Sequence, residues 1–352
     1  MRTSFTIKEV RLRHFASCTE KTEINNNVTN TKKMASFTVK KNTPFMLDAE
    51  FQHFPLSYVN ALRRILVGNS LPQVVLSDIE IMTNTTQMPH EMIKHRVSLL
   101  PVAVHPTDAE TIKNASVSLV VSPIPDKDRL ITTDDFTIEK GPSSLLMKDR
   151  DLNKPLLFIK VRKGEEIHLG CKLSLDKGSH VCTATYKFHV DPERLKVDRE
   201  KFLTKEGADP REFDNFYYQK SYSVDEHGRP NWIDFQVESV GIIKSKELLS
   251  MANTHLRKSI DEWISDALEN ISRESEKNVY SVNLKKGDHT EGVLLQEMMY
   301  HGGKTGFVAY DILHPLLKDL SLKWISETKP EDVLKEVQKK IHEYSDIVEK
   351  AL

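Results

Sequence analysis

Residues 54–81 read FPLSYVNALRRILVGNSLPQVVLSDIEI, a short amphipathic helix followed by a strand. The apolar face of this helix carries Tyr58, Val59, Leu62, Ile65 and Leu66. Asn60, Arg63 and Arg64 gather on the opposite side, and Gly68 is a plausible stop signal. The stretch therefore predicts a helix that is buried on one side and presents two adjacent arginines on the other.

The chain reads as two copies of one pattern, in which strands and a short helix are followed by more strands and a long amphipathic helix. The first long helix begins at SKELLSMAN, and its apolar stripe consists of Leu249, Ala252, Leu256, Ile260, Trp263 and Ala267. The second closes the chain as TKPEDVLKEVQKKIHEYSDIVEKAL, with a stripe of Leu334, Val337, Ile341, Tyr344 and Val348. Thr328 and Glu331 have the spacing of a capping box at its start.

Between about 110 and 225 the pattern changes to short β-type runs separated by turns. VCTATYKFHV alternates cleanly, and LLFIKVRKGEEIHLGCKL predicts a hairpin that turns at Lys163–Gly164. The resulting domain limits are 1–109 and 226–271 for a first module, 110–225 for an inserted β-rich subdomain, 272–278 for a linker and 279–352 for a second module.

The second module is too small to bury much of its own surface. Packing the two long helices against each other would hide both apolar stripes, which favours an α+β protein whose halves form an intramolecular pseudo-dimer. The alternative from pattern alone is two independent domains joined by the linker.

Composition and charge argue against a broadly basic nucleic-acid-binding protein, a membrane-spanning protein and a disulfide-stabilised secreted protein. Lys+Arg number 50 and Asp+Glu 51, so any nucleic-acid contact would have to come from a local patch. Residues 19–35 are polar and predict a loop or disordered insert. The N-terminus lacks the apolar core of a signal peptide, and no apolar run is long enough to span a membrane. Three scattered cysteines are too few for a disulfide framework, which favours a reducing, intracellular compartment.

Searches for catalytic and metal-binding motifs give no candidate. In HEMIKH, Lys94 occupies the position where a zinc-protease helix needs its second histidine, so a polar turn is the better interpretation. No phosphate-binding glycine loop or nucleophile elbow is present. His289 and His314 lack an identifiable catalytic partner. We therefore predict no catalytic residue, no cofactor and no metal site.

Three interpretations of the arginine pair compete: solvated side chains, a phosphate-binding patch for DNA or RNA, and a docking patch for another protein. A phosphate patch is disfavoured because only two arginines cluster and no aromatic stacking platform accompanies them. Docking suits guanidinium groups, which pair well with carboxylates and backbone carbonyls at interfaces.

Several quoted stretches resemble one known family. YVNALRRILVGNSLPQVVLSDIEIMTNTTQMPHEMIKHRVSLLPV resembles the signature of the α-like assembly subunit of multisubunit DNA-directed RNA polymerases, which includes bacterial α, archaeal D and the third-largest subunit of polymerase II. PLLFIKVRKGEEIHLGCKL and FQVESVGIIKSKELL resemble its inserted domain and the return into its dimerisation domain. GDHTEGVLLQEMM and GFVAYDILHPL resemble the small partner, archaeal L or the eleventh subunit of polymerase II.

This resemblance implies a non-catalytic platform on which the largest and second-largest polymerase subunits assemble, with DNA and RNA reached only through the complex. It also implies that Asn60, Arg63, Arg64 and Arg96 dock those subunits. Fusion of the two partners in one chain is similar to the arrangement in large DNA viruses, which implies host cytoplasm or virion, with the nucleus as the alternative location. The alternative function is a stand-alone nucleic-acid-binding regulator with the same α+β dimer.

Two departures from the family pattern bear on the site. Glu291-Gly292-Val293 stands where the small partner usually has Leu-Gly-Asn, so different contacts are expected at that helix start. Several relatives carry a four-cysteine site in the inserted domain, and Cys171 and Cys182 alone cannot form a closed tetrahedral thiolate site. We therefore expect no structural zinc.

Overall fold

The computed structural model describes residues 34–68, 70–177, 182–205, 207–226, 228–312 and 316–352. Cys18, Asn69, His314 and the predicted polar segment up to residue 33 lie outside these ranges. Residues 35–352 form one unit by their contacts. No helix in the described part of the chain has the length and apolarity that crossing a bilayer requires.

The described residues form strands and helices in a mixed order along the chain. The strands are β1 (Ser36–Asn42), β2 (Met46–Gln52), β3 (Pro72–Asn84), β4 (Ser116–Val121), β5 (Arg129–Thr132), β6 (Thr137–Lys140), β7 (Leu157–Val161), β8 (Ile167–Lys177), β9 (Cys182–Phe188), β10 (Trp232–Ser239), β11 (Ser272–Arg273), β12 (Val279–Leu284), β13 (Thr305–Ile312) and β14 (Leu320–Ser326). The main helices are α1 (Leu56–Val67), α2 (His90–Ser98), α3 (Ala109–Asn114), α4 (Pro192–Leu203), α5 (Ser245–Glu269), α6 (His289–His301) and α7 (Pro330–Ala351).

Two four-stranded sheets have the same internal order. One runs β1-β2-β10-β9 and the other β11-β12-β14-β13, both entirely antiparallel. In each, a short helix (α1 or α6) follows the second strand and a long helix (α5 or α7) follows the last strand. The predicted repetition of one pattern is therefore a repetition of one fold.

The two modules pack through their helices. α5 packs against α7, and α1 packs against α6. In both stripes the aliphatic side chains are buried, with Leu249, Leu256, Ile260, Leu334, Ile341 and Val348 all at most 1% exposed. Each such side chain contributes about 1.5–3 kcal/mol by leaving water. One continuous core spans both modules, which confirms the α+β class and the intramolecular pseudo-dimer.

The predicted limits of the inserted subdomain differ from those that the sheets define. β3 pairs with β8, and the sheet order β3-β8-β4-β6 places both strands in the inserted unit. A second hydrophobic core contains only residues between Val74 and Leu173. β9, in contrast, pairs with β10 of the first module. The inserted unit is therefore residues 72–177, not 110–225, because strand pairing rather than local pattern decides the division.

The elements described between Pro192 and Lys220 are helical, although the sequence predicted β-type runs there. Asp191 accepts hydrogen bonds from the amides of Glu193 and Arg194 at 3.0 and 3.4 Å, and Pro192 occupies the first turn of α4. A second start at Asp209 leads through Pro210–Glu212 into a π-helix, Phe213–Tyr217. These Asp-Pro start signals override the weak strand pattern.

Four smaller predictions were also wrong. The turn at Lys163–Gly164 exists, but β7 pairs with β5 and β8 with β3, so no hairpin forms. The residue at the N-cap of α7 is Lys329, not Thr328, and no side chain caps the helix. Thr328 and Glu331 therefore make no capping box. HEMIKH lies in helix α2 rather than in a turn. Ser272 and Arg273, which were predicted to lie in the 272–278 linker, form β11 and pair with β12 of the second module.

Candidate docking surface at the junction of the two modules

Asn60 and Arg63 form the part of the surface that faces away from the core. Arg63 Nε donates a hydrogen bond to Asn60 Oδ1 at 2.9 Å, one helical turn away. Both residues are half-buried, and Arg63 has no carboxylate partner among the described residues. An arginine fork oriented by a neighbouring amide and left without an anion is suited to bind a carboxylate or a carbonyl from another chain.

Arg64 makes its contacts within the chain. Its Nε donates to Thr290 Oγ1 at 2.7 Å, and its Nη2 lies 3.4 Å from Asp288 Oδ2. Asp288 caps α6 in the second module. The helical wheel did not reveal this contact, because it describes α1 alone and not the helix start packed beside it. Arg64 therefore ties the modules together while its side chain stays 39% exposed.

The departure from the family pattern at Glu291 has a structural role. Asp288 N–H donates to Glu291 Oε2 at 3.0 Å, which completes a capping box, and Ser259 Oγ donates to Glu291 Oε1 at 3.1 Å. Ser259 belongs to α5, so Glu291 links the two modules. A Cβ on Gly292 would come within 2.5 Å of the Tyr310 ring, which explains the glycine at this position.

An open cleft of about 370 Å³ lies next to Arg64, between α5 and the start of α6. His255 and Trp263 line it, and their Nδ1 and Nε1 atoms are buried without a hydrogen-bond partner. Burial, aided by the nearby charge of Lys177, lowers the pKa of His255, which favours a neutral imidazole at neutral pH. The cleft is lined by both acidic and basic side chains, so its charge does not select one kind of ligand.

Arg96 makes its hydrogen bonds away from this junction, within the inserted unit. It belongs to α2 in the inserted unit and donates to the backbone carbonyl of Phe158 from Nε at 3.0 Å and from Nη2 at 2.5 Å. This bidentate contact joins α2 to β7. Asn60, Arg63 and Arg64 share one helix, whereas Arg96 holds the inserted unit together.

A buried polar network between the modules was not predicted. Tyr58 Oη donates to Asn253 Oδ1 at 2.7 Å, and Asn253 Nδ2 donates to the Ser345 carbonyl at 3.1 Å. Asn253 is 2% exposed. The available signal was its place four residues after Leu249, within the apolar stripe of α5. The network joins α1, α5 and α7 in one register.

Replacing Asn253 with alanine should destabilise the pseudo-dimer, because a buried hydroxyl and a buried carbonyl lose their partner. We expect the free energy of unfolding to fall by about 1–3 kcal/mol, measured by urea denaturation. Asn114→Ala is the matched control, because Asn114 is exposed at the end of α3 in the inserted unit and should change stability by less than about 0.5 kcal/mol. Equal stability of the two variants would contradict a role for the network.

One cluster of possible metal ligands occurs among the described residues, formed by Glu50, His189 and Asp234 on the first module's sheet. Each carboxylate already has a cationic or hydrogen-bonding neighbour. Lys40 Nζ lies 3.1 Å from Glu50, and His189 Nδ1 lies 2.9 Å from Asp234. The cluster is therefore explained as a pair of contacts between strands.

Cys171 and Cys182 lie in different cores. Burial raises the pKa of the Cys171 thiol to about 12 and that of Cys182 to about 11. Both thiols are free. Cys171 belongs to the core of the inserted unit and Cys182 to the core shared by the modules, so the two cannot ligate one metal ion together in this fold.

Comparison with known proteins identifies the modules. Residues 49–260 and residues 280–351 each match a model of the RNA polymerase Rpb3/Rpb11 dimerisation domain. DNA-directed RNA polymerase subunit Rpo3 of Methanocaldococcus jannaschii is 26% identical over 151 residues, which cover 40% of this chain and 68% of that protein. Rpo3 of Pyrobaculum aerophilum is 30% identical over 169 residues, which cover 44% of this chain and 63% of the relative.

The similarity extends to a eukaryotic protein. Subunit 3 of the DNA-directed RNA polymerases II, IV and V of Arabidopsis thaliana is 22% identical over 276 residues, covering 60% of this chain and 85% of that protein. The fold and its junction define a protein built for association, in which two equivalent modules form one platform. The chain belongs to the RNA polymerase Rpb3/Rpb11 dimerisation-domain family and carries two such domains in tandem.

Proposed function

We propose that this chain is the non-catalytic assembly-platform subunit of a DNA-directed RNA polymerase, on which the largest and second-largest subunits are mounted. The observation that carries the proposal is the tandem pair of dimerisation domains, packed through α1, α5, α6 and α7 into one core. Support also comes from the relatives named as polymerase subunit 3. In this role the active site, its metal ions and the nucleotides belong to the large subunits.

Docking of the second-largest subunit is assigned to Asn60, Arg63 and Arg64. Support comes from the guanidinium of Arg63, which Asn60 orients and which has no carboxylate partner in the part of the chain that the structure describes, and from the exposed part of the neighbouring Arg64. Arg64 has a double role in this proposal, because its bonds to Thr290 and Asp288 also fix the angle between α1 and α6. For Arg96 the role is indirect, since its contact with the Phe158 carbonyl joins α2 to β7 within the inserted unit.

The Arg63→Ala/Arg64→Ala variant should lose the large subunits while the chain itself stays folded. Two desolvated arginine contacts at about 2 kcal/mol each would weaken binding roughly a thousandfold. The half-exposed Arg64–Asp288 pair contributes only about 0–1 kcal/mol to folding. The measurement is affinity purification of the tagged chain, with quantification of the two large subunits and a thermal unfolding curve.

Arg162→Ala/Lys163→Ala is the matched control, because these residues are also adjacent, cationic and exposed, but lie on the inserted unit. It should retain both subunits. Undiminished recovery of the large subunits with the Arg63/Arg64 variant would refute the assigned docking surface. Recovery of nucleic acid with no large subunit, even from the unmodified chain, would instead favour the stand-alone regulator.

We further propose that the tandem arrangement is a fusion of two subunits that are separate chains in cells, as in large DNA viruses. In that setting the complex works in the host cytoplasm or is packaged in the virion, and the nucleus is the alternative. The connection between the modules, from the end of α5 at Glu269 to the start of β11 at Ser272, is short, so the second module finds its partner without a bimolecular step.

A further inference from the structure

A helical arm leaves the first module between β9 and β10. The arm is defined as residues 192–220, residue 206 excepted, and contains α4 and the π-helix. Of its described apolar side chains only Phe213 is buried. Phe216 is 69% exposed, Val197 47% and Leu203 42%. A concentration of exposed apolar side chains on one small element marks an interaction surface.

Three aromatic rings form the floor of a shallow pocket of about 190 Å³ on the arm. The Phe202 ring lies 5.5 Å from that of Phe213 and 5.0 Å from that of Tyr217, measured between centroids. Phe213 and Tyr217 are the two ends of the π-helix. π-Helical turns are rare and are found mostly at functional sites. Here the turn places both rings on one side of the pocket.

The pocket carries positive charge that the arm does not neutralise. Lys201, Lys205 and Lys220 line it, and none of them forms an ion pair with a described residue. Lys205 lies 5.6 Å above the Phe202 ring and Lys220 4.4 Å above the Tyr217 ring.

The one carboxylate at the pocket is already engaged. Asp198 accepts a hydrogen bond from Ser221 Oγ at 2.9 Å and lies 3.5 Å from Arg194. The pocket thus combines an apolar floor with three available ammonium groups.

We propose that this arm docks an acidic protein segment. One aliphatic or aromatic side chain of the segment enters the pocket, and flanking carboxylates pair with Lys201, Lys205 and Lys220. Nucleic acid fits the surface less well, because only three lysines gather at the pocket, whereas a phosphate backbone is bound by longer runs of basic side chains. The two rings best placed for stacking on bases are also covered by lysines.

The proposal rests on the proposed function in one respect, that the segment belongs to a polypeptide of the assembled polymerase. The test uses the complex purified through the full chain, with Arg63 and Arg64 unchanged. A photo-crosslinking benzophenone amino acid replaces Phe216, and the crosslinked peptide is identified by mass spectrometry. The amount of large subunits recovered is scored in the same preparation, so loss of the complex and loss of the arm contact are read separately.

We expect one crosslinked segment of net negative charge. Lys201→Glu/Lys205→Glu/Lys220→Glu should lower the crosslinking yield at least tenfold, and the glutamine triple variant, which keeps the side chains polar, should lower it less. Lys113→Glu/Lys127→Glu/Lys140→Glu changes the net charge equally on exposed positions of the inserted unit and should leave the yield within twofold. A crosslink to nucleic acid or to a basic segment, no crosslink, or a yield insensitive to the arm's lysines would overturn the proposal.

Discussion

Replacing Ile341 with aspartate should dismantle the shared core of the two modules. Ile341 is fully buried on α7, between Gln338 and His342, which both contact Asp261 of α5 at 2.7 and 2.6 Å. The change removes a buried aliphatic side chain, which costs about 2–5 kcal/mol, and leaves an uncompensated carboxyl group in its place, which costs several more. A total above roughly 5 kcal/mol equals the whole stability of many domains.

The two buried cysteines allow this loss to be located. Thiol labelling at pH 8, with peptide mapping, should show that Cys182 becomes reactive in the Ile341→Asp variant, because it belongs to the shared core. Cys171 should stay protected longer, because the inserted unit has its own core. Ile341→Val should cost only about 0.5–1.5 kcal/mol. Lys339→Asp, two residues away and exposed, should have no measurable effect.

Protection of Cys182 in the Ile341→Asp variant, equal to that in the unmodified chain, would contradict the packing of α7 on α5. Simultaneous labelling of both cysteines would contradict the independence of the two cores. The experiment therefore tests the pseudo-dimer and the inserted unit together, but gives a separate answer for each.

The long helices could be predicted from sequence because their stripes repeat at helical spacing and are too apolar to face water. Leu249, Leu256 and Ile260 on α5, and Leu334 and Ile341 on α7, are all buried as expected. Local periodicity was sufficient here, because the spacing of the apolar residues alone identifies the buried face of each helix.

The limits of the inserted unit could not be predicted, because strand partners are not encoded locally. β3 and β9 both read as ordinary strands, yet β3 pairs with β8 and β9 with β10. The role of Arg64 was hidden for a related reason. Its partners, Thr290 and Asp288, lie more than 220 positions away, and only the packing of the modules brings them to α1. The arm at 192–220 was missed because its apolar residues form no stripe that the chain itself buries.

Removing residues 72–177 should leave a folded pseudo-dimer. Pro72 and Lys177 are paired neighbours at the ends of β3 and β8, so the chain leaves and re-enters the first module at one point. A two-residue Asn-Gly turn can replace the unit without moving its flanks. The shared core contains no residue between Leu71 and Cys182, so no buried side chain of the modules is lost. Apart from the arm between β9 and β10, the shortened chain would then have the element order of the second module.

The matched comparison is removal of residues 110–225, the limits that the sequence pattern indicated. That deletion takes away β9, which pairs with β10 along its length, and it keeps β3 without its partner β8. Leu76 and Val74 would lose the core that buries them. We expect this shorter chain to be aggregated or unfolded, while the 72–177 deletion unfolds cooperatively and keeps Cys182 protected from labelling.

Among the described residues, a few exposed or half-buried side-chain contacts join the inserted unit to the first module, and they set the loss of stability that we expect from the 72–177 deletion. Arg150 lies 5.3 Å above the Phe45 ring and donates to the Ser239 carbonyl at 3.4 Å, and His105 contacts Glu247 at 3.2 Å. Losing such exposed or half-buried contacts costs about 1–3 kcal/mol in total. A midpoint of thermal unfolding that falls by more than about 15 °C in the 72–177 deletion would mean that the unit is part of the platform's core rather than an addition to it.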